Sequence, residues 1–243
     1  MEGVQVHGFL SQGYILTSSN RVFGHSEGDG SLDFIEAGIN ASWTPLPRLQ
    51  FAVQPLFRRA GAGHDSDFEL DFALMDYALL STEDRQLGFR LGRIKNPVGL
   101  YNDTRDVAFT RPSILLPESI YLDSLREVFV SADGAQVYGE LRTRWGDLSL
   151  EFGGVVPRAD NLDSELAIFL QDFPGGFENE LSYLGRLTYQ LDGGRYKLVA
   201  SGAQVNTTYE PRLLPPNDLQ AGSDLFEFLI LSAQYNGERW SFT

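Results

Sequence analysis

The chain contains no cysteine in 243 residues, and histidine occurs only three times. A protein that passes through an oxidising periplasm benefits from having no stray thiols, so the absence of cysteine is compatible with export. Weak selection against cysteine in any bacterial protein explains it equally. The histidines, His7, His25 and His64, are scattered along the sequence, and we therefore expect no metal site and no cofactor.

Long hydrophobic runs are also missing. No stretch of about 18 apolar residues is present, so the sequence encodes no transmembrane helix. A membrane β-barrel is not excluded, because its strands alternate and average to a soluble hydropathy such as the value of -0.18 found here. The first residues, Met1-Glu2-Gly3, lack the charged and apolar regions of a signal peptide. Export would therefore require that the signal was removed or replaced.

Basic residues are scarce, with 19 Lys and Arg against 33 Asp and Glu, and the net charge is -14. A nucleic-acid partner is not expected, since binding phosphates needs a basic face. The acidic surplus fits acidic external loops of a membrane protein, and it fits an ordinary solubility surplus equally well.

Alternation of apolar and polar residues predicts an all-β protein. Ile35 and Ala37 share one face of a strand, for example, whereas Glu36 and Gly38 share the other. We predict eleven strands, over residues 4–16, 32–44, 49–59, 68–80, 85–95, 134–144, 148–156, 181–191, 196–205, 225–235 and 239–243. A short helix is expected within residues 164–173, from the spacing of its apolar residues.

The predicted connections alternate between long and short along the whole chain. This asymmetry is typical of outer-membrane barrels, which have short periplasmic turns and longer external loops. We therefore expect an antiparallel up-and-down transmembrane β-barrel, with residues 1–243 as a single domain. Such a barrel needs an even number of strands, and the chain ends within the eleventh. The sequence thus indicates the N-terminal part of a longer barrel that lacks about five C-terminal strands.

The segment Arg85–Asp123 is central to this interpretation. It begins as a strand and meets Asn96-Pro97, where proline cannot donate to a β-ladder. A connection without a clean period then runs to about Ser131. Loops of this length inside a domain are usually functional. We predict that residues 96–131 fold into the barrel lumen as a pore constriction.

Several segments resemble Gram-negative outer-membrane porins. They are GFLSQGYILTSSNR (Gly8 to Arg21), the stretch from Phe89 to Asp106, and FTRPSILLPESIYLD (Phe109 to Asp123). The resemblance implies a trimer of about sixteen-stranded barrels in the cell outer membrane, surrounded by outer-membrane lipid. It also implies that the third external loop folds inward and narrows the pore.

The predicted function is passive diffusion of small hydrophilic solutes, not catalysis. Charged side chains at a constriction set the selectivity of such a channel. An arginine-rich lumen would favour anions, unless each arginine is paired with a neighbouring carboxylate. The candidate pore-lining residues are Arg58, Arg90, Arg142, Arg144 and Arg186 on strands, and Arg105, Arg111, Arg126, Asp103, Asp106, Glu118 and Asp123 in the loop.

Two alternatives stay open at this point. The first is an outer-membrane barrel enzyme that hydrolyses lipid or peptide, for which His7 and Ser11 on one strand face are a candidate pair, although no acidic orienting residue or elbow motif accompanies them. The second is a soluble β-rich carbohydrate-binding domain, which would need no detergent for extraction.

Overall fold

The computed structural model describes residues 3–20, 26–60, 67–123, 125–169, 175–212 and 220–243. The predicted connections around residues 17–31, 61–66 and 206–222 and the end of the predicted helix 164–173 lie partly or wholly outside these ranges, as do His25 and His64. The fold is all-β, as predicted. Within the described ranges, none of the helices has the length and apolar character needed to cross a membrane.

Twelve strands form one antiparallel sheet. They are β1 (Val4–Ile15), β2 (Ser31–Leu46), β3 (Leu49–Ala60), β4 (Asp67–Ser81), β5 (Arg85–Lys95), β6 (Ser131–Thr143), β7 (Gly146–Val156), β8 (Gly175–Asn179), β9 (Ser182–Leu191), β10 (Tyr196–Pro211), β11 (Gly222–Asn236) and β12 (Ser241–Phe242). Two short helices accompany them, α1 (Arg126–Phe129) and α2 (Leu162–Phe169).

The strands follow each other as an up-and-down meander, and only β8 departs from the sequential order. It pairs with the second half of β10, from Thr207 to Pro211, whereas β9 pairs with the first half. β8 and β9 therefore lie end to end beside one long strand. The eleven predicted strands are present, and β8 is an additional short strand within the predicted connection from Pro157 to Asn179.

The edges of the sheet are β1 and β12. In the described part of the chain β1 pairs with β2 and β12 pairs with β11, so the sheet is not closed. The closed barrel expected from the sequence is thus seen only as an open up-and-down sheet.

The two faces of the sheet have inverted polarity compared with a water-soluble sheet. We call the face with exposed apolar side chains the outer face, and the face with buried charged side chains the inner face. On the outer face Val137, Leu150 and Leu229 are 54%, 54% and 72% exposed. On the inner face the charged residues Glu36 and Arg58 are buried. Exposed apolar surface and buried charge are the two informative departures from ordinary burial, and here the first is concentrated on the outer face and the second on the inner face.

The outer face is bounded by different side chains at its two ends. Near the long connections, charged pairs lie on it, Arg59 with Asp33 at 2.6 Å and Arg93 with Asp133 at 2.9 Å. Near the short turns, aromatic pairs lie on it. They are Trp43 with Phe51, Tyr77 with Phe89, and Tyr196 with Tyr235, whose ring centroids are 5.9, 5.7 and 5.2 Å apart. Apolar side chains fill the space between.

The β9–β10 turn has the backbone conformation that its sequence predicts. In the β9–β10 turn, Asp192, Gly193 and Gly194 have φ angles of 54°, 63° and 88°, as predicted for this hairpin. The connection between β5 and β6 is the longest that is described almost completely, and we call residues 96–130 the inner loop. It lies on the inner face and contains α1 and two single 3₁₀ turns.

Candidate functional site

The base of the inner loop is closed by two asparagines. The backbone N–H of Asn96 donates to the Val130 carbonyl at 3.0 Å, and its side-chain amide donates to the carbonyls of Val128 and Phe129. The Asn102 amide donates to the carbonyls of Asn96 and Phe129, at 2.8 and 2.9 Å. These bonds satisfy carbonyls left free where Pro97 ends the β5 ladder, and they hold the two ends of the loop together.

The first ion-pair cluster joins the inner loop to β2 and β3. Arg58 donates to Glu36 at 3.2 Å and to Asp123 at 2.8 Å. Arg105 donates to the other oxygen of Asp123 at 2.9 Å, and Arg111 donates to Glu36 at 3.0 Å. Arginines and carboxylates alternate here, and three guanidinium groups against two carboxylates leave this cluster with a formal charge of +1.

A second cluster fixes the loop to β4 and β5. Asp106 accepts from Lys95 at 2.9 Å and from Arg126 at 2.5 Å, and Lys95 also pairs with Asp71. Burial opposes ionisation of Asp106, but Arg126, Lys95 and Arg105 outweigh it and hold the pKa of Asp106 well below its usual range. Asp106 is therefore a carboxylate throughout the physiological range of pH.

A third cluster crosses the inner face from β4 to β9. Arg90 donates to Asp76 at 3.0 Å and to Glu151 at 3.3 Å. Arg186 donates to Glu151 and to the loop residue Asp103, each at 2.5 Å. These strand residues come together because the register pairs Asp76 with Arg90 and Glu151 with Arg186.

The far side of the loop contacts the last strands. The backbone N–H of Gly99 donates to Ser201 on β10 at 2.8 Å. The hydroxyl of Tyr101 accepts from Gln234 on β11 at 2.6 Å and is 3.0 Å from the Thr243 hydroxyl. The inner loop is thus attached to the sheet from β2 to the residue that follows β12.

Gly99 is required by this arrangement. Its φ is +58°, and a Cβ atom there would lie 2.6 Å from the Tyr121 hydroxyl. That hydroxyl accepts from the backbone N–H groups of Leu100 and Tyr101, at 2.9 and 3.1 Å. A side chain at residue 99 would displace the tyrosine that holds the turn.

A cavity of about 560 Å³ lies beside the loop on the inner face, toward the short turns. It is lined by the third cluster together with Tyr138 and Lys197. The Arg90 guanidinium lies 4.5 Å from the centre of the Tyr138 ring. Because charged and hydroxyl groups dominate this lining, the cavity suits water and polar solutes.

Ten of the twelve residues predicted for the site are brought together by the loop and its partners. Nine belong to the three clusters, and Glu118 accepts from the Asp123 backbone at 2.9 Å. Arg142 is instead exposed near the β6–β7 turn and bonds Glu140 at 3.4 Å. β6 ends at Thr143, before the predicted strand end, so Arg144 lies in the turn with its guanidinium 4.6 Å from the Trp145 ring centre.

The strand carboxylates Glu36, Asp71, Asp76 and Glu151 were not among the predicted residues, although each is a direct partner of a predicted or loop-bound cation. Strand parity offered a signal for some of them, since Glu36 alternates with apolar Ile35 and Ala37. The sequence did not show which cation each carboxylate would pair with, because this pairing depends on strand register.

The candidate hydrolase pair is not assembled. His7 and Ser11 are four residues apart on an extended strand, a separation of about 13 Å, and the Ser11 hydroxyl donates to Glu36 at 3.4 Å. Among the described residues, no group of three His, Asp or Glu side chains is placed to hold a metal ion.

Comparison with protein-family models gave no match, and neither the curated proteins nor the solved structures contain a significant match to this chain.

Proposed function

We propose that this chain forms the wall of a transmembrane β-barrel in the cell outer membrane and that the barrel is a porin. In this proposal small hydrophilic solutes diffuse passively past the inner loop, and the inner loop constricts the pore. The sequence analysis predicted this constriction for residues 96–131. The inverted polarity of the two sheet faces carries the proposal.

The outer face has the layout expected of a lipid-facing surface. Phe51 and Arg59 on β3 are eight residue steps apart, about 26 Å along the strand. At a strand tilt of about 40° this is about 20 Å across the membrane, close to the apolar band of about 25 Å in such barrels. The aromatic pairs at the short turns correspond to an interfacial girdle, and the Arg59–Asp33 and Arg93–Asp133 pairs mark the opposite boundary.

Barrel closure is part of the proposal. Lipid offers no hydrogen-bond partners, so the free edges of β1 and β12 must be paired within a membrane. Further strands, or the same strands in a different arrangement, would supply this pairing. Assembly into a trimer and contact with outer-membrane lipid are proposed on the porin resemblance alone.

Ion pairing argues for weak ion selectivity. Nine predicted residues form carboxylate–arginine clusters, so the arginines do not present an unbalanced positive field. The anion preference expected from the number of arginines stays a prediction. The third cluster beside the 560 Å³ cavity has two guanidinium groups and three carboxylates, so it does not itself favour anions.

The alternative of a soluble carbohydrate-binding domain predicts a water-exposed outer face. That face carries many large apolar side chains at 40% exposure or more, and contiguous apolar patches of this kind mark membrane or protein contacts. Extraction that succeeds without detergent would favour the soluble alternative.

Single-channel recording in a planar lipid bilayer tests the proposal directly. We expect discrete conductance steps from the purified protein and a changed step size for Arg186→Gln, since Arg186 lies on the inner face between Glu151 and Asp103. Arg59→Gln is the matched control, because it removes the same charge from the outer face and should leave the step size unchanged. A protein that inserts into the bilayer without conducting would refute the porin function.

A further inference from the structure

A second, much smaller cavity lies between the inner loop and strands β2 and β3. Its volume is about 30 Å³, and four arginines line it, Arg58, Arg105, Arg111 and Arg126. Their side chains are only 4%, 5%, 4% and 2% exposed. Four buried guanidinium groups around so small a space need a physical explanation.

Each of these arginines has one buried nitrogen that finds no acceptor among the described residues. The nitrogens are Nη1 of Arg58 and Arg105, and Nε of Arg111 and Arg126. A buried donor without an acceptor destabilises the folded state, and the cost is larger when the group is charged. Four such donors on residues that line one cavity indicate that an acceptor from outside the protein belongs there.

The charge and the size of the cavity restrict that acceptor. Three carboxylates share the lining, those of Glu36, Glu118 and Asp123. With the four guanidinium groups they leave a formal charge of +1, although Asp106 also bonds Arg126 from outside the lining. A volume of about 30 Å³ holds a monatomic anion or about two water molecules. Tetrahedral oxyanions with their four oxygens are too large.

We propose that this cavity binds one chloride ion, which accepts hydrogen bonds from the four arginines and locks the inner loop onto β2 and β3. The site is structural and does not depend on conduction. Chloride binding can therefore be confirmed or refuted independently of the porin function. Opening of the loop would separate Arg105, Arg111 and Arg126 from Arg58 and release the ion. Chloride should therefore stabilise the closed loop by mass action.

The test is hydrogen exchange of residues 96–130 in detergent micelles, with sodium chloride replaced stepwise by sodium gluconate at constant ionic strength. For one site released on opening, protection rises as one plus the ratio of chloride concentration to Kd. The plot of log protection against log chloride should therefore reach a slope of one. A slope of zero in the unmodified protein would overturn the proposal, and this is the result expected if water alone fills the cavity.

Matched variants and crystallography give a second measurement. Arg111→Lys keeps the charge beside Glu36 but removes the Nε donor, and we expect a weaker chloride dependence with at least a tenfold higher Kd. Arg59→Lys makes the same change on the opposite face of β3 and should match the unmodified protein. Crystals soaked in sodium bromide should give an anomalous peak among the four guanidinium groups. Absence of that peak, or an equal chloride dependence in Arg111→Lys, would contradict the assignment even if one variant folds poorly.

Discussion

Removing the charge of Asp106 is the sharpest test of how the inner loop is held. Asp106 and Arg126 have side chains that are each 2% exposed, and the oxygen and nitrogen of the pair are 2.5 Å apart. In Asp106→Asn, Lys95 keeps its partner Asp71, but Arg126 loses the carboxylate that neutralises it. Breaking a buried pair from one side costs about 3–5 kcal/mol, because an uncompensated charge stays buried.

The reverse substitution should cost less. In Arg126→Met, Asp106 still accepts from Lys95 at 2.9 Å, so no isolated buried charge results. We expect about 1–3 kcal/mol from the lost hydrogen bond. In the double variant Asp106→Asn/Arg126→Met there is no buried guanidinium group left without a carboxylate, so that part of the free-energy cost disappears. Its total should therefore be clearly smaller than the sum of the single variants.

Hydrogen exchange of the Val128 and Val130 amides measures this, since both amides are bonded within the loop, to the carbonyls of Leu125 and Arg126. A loss of about 3 kcal/mol corresponds to exchange at least about 100-fold faster. Exchange in Asp106→Asn that is less than tenfold faster would refute the view that this pair holds the loop. Strict additivity in the double variant would show that the two side chains do not act as a pair.

Three other outcomes follow from the same structure. Burial and the neighbouring Glu69 raise the pKa of Glu127 to about 7 against the attraction of Arg158, 2.7 Å away. Because the folded state holds that proton more tightly, the contribution of Glu127 to loop stability should be complete below pH 4.5 and be lost as the pH rises to about 7, by up to about 3 kcal/mol. Glu127→Gln should remove this decrease between pH 4.5 and about 7 in urea unfolding, and an unchanged decrease would exclude Glu127 as its source. Leu150→Arg places a charge in the middle of the outer face, and should cost about 2–4 kcal/mol in lipid but within about 0.5 kcal/mol if that face meets water, as measured by unfolding in liposomes. Arg186→Gln removes the bond that holds Asp103 to β9. The loop should then move more beside the cavity, and the current noise within each conductance step should increase. Noise identical to that of the unmodified protein would argue against a loop contact at this point.

Local sequence patterns predicted the strands well. Apolar and polar residues alternate with a period of two, and turn residues such as Asp192-Gly193-Gly194 have positive φ angles that few other sequences adopt easily. The end of β5 at Lys95 was visible in Asn96-Pro97 for the same local reason. β8 was not predicted, because it is short and is a strand only through its pairing with the end of β10.

The sequence by itself therefore determined the order of strands, the alternation of long and short connections, and the identity of the loop that carries most of the site residues. These properties depend on neighbours a few positions apart. The tertiary structure alone decided which charges meet, because pairs such as Arg58 with Asp123 are 65 residues apart and depend on strand register and on the path of the loop. It also converted a row of arginines into alternating ion pairs, since buried guanidinium groups are tolerated only where carboxylates lie opposite them.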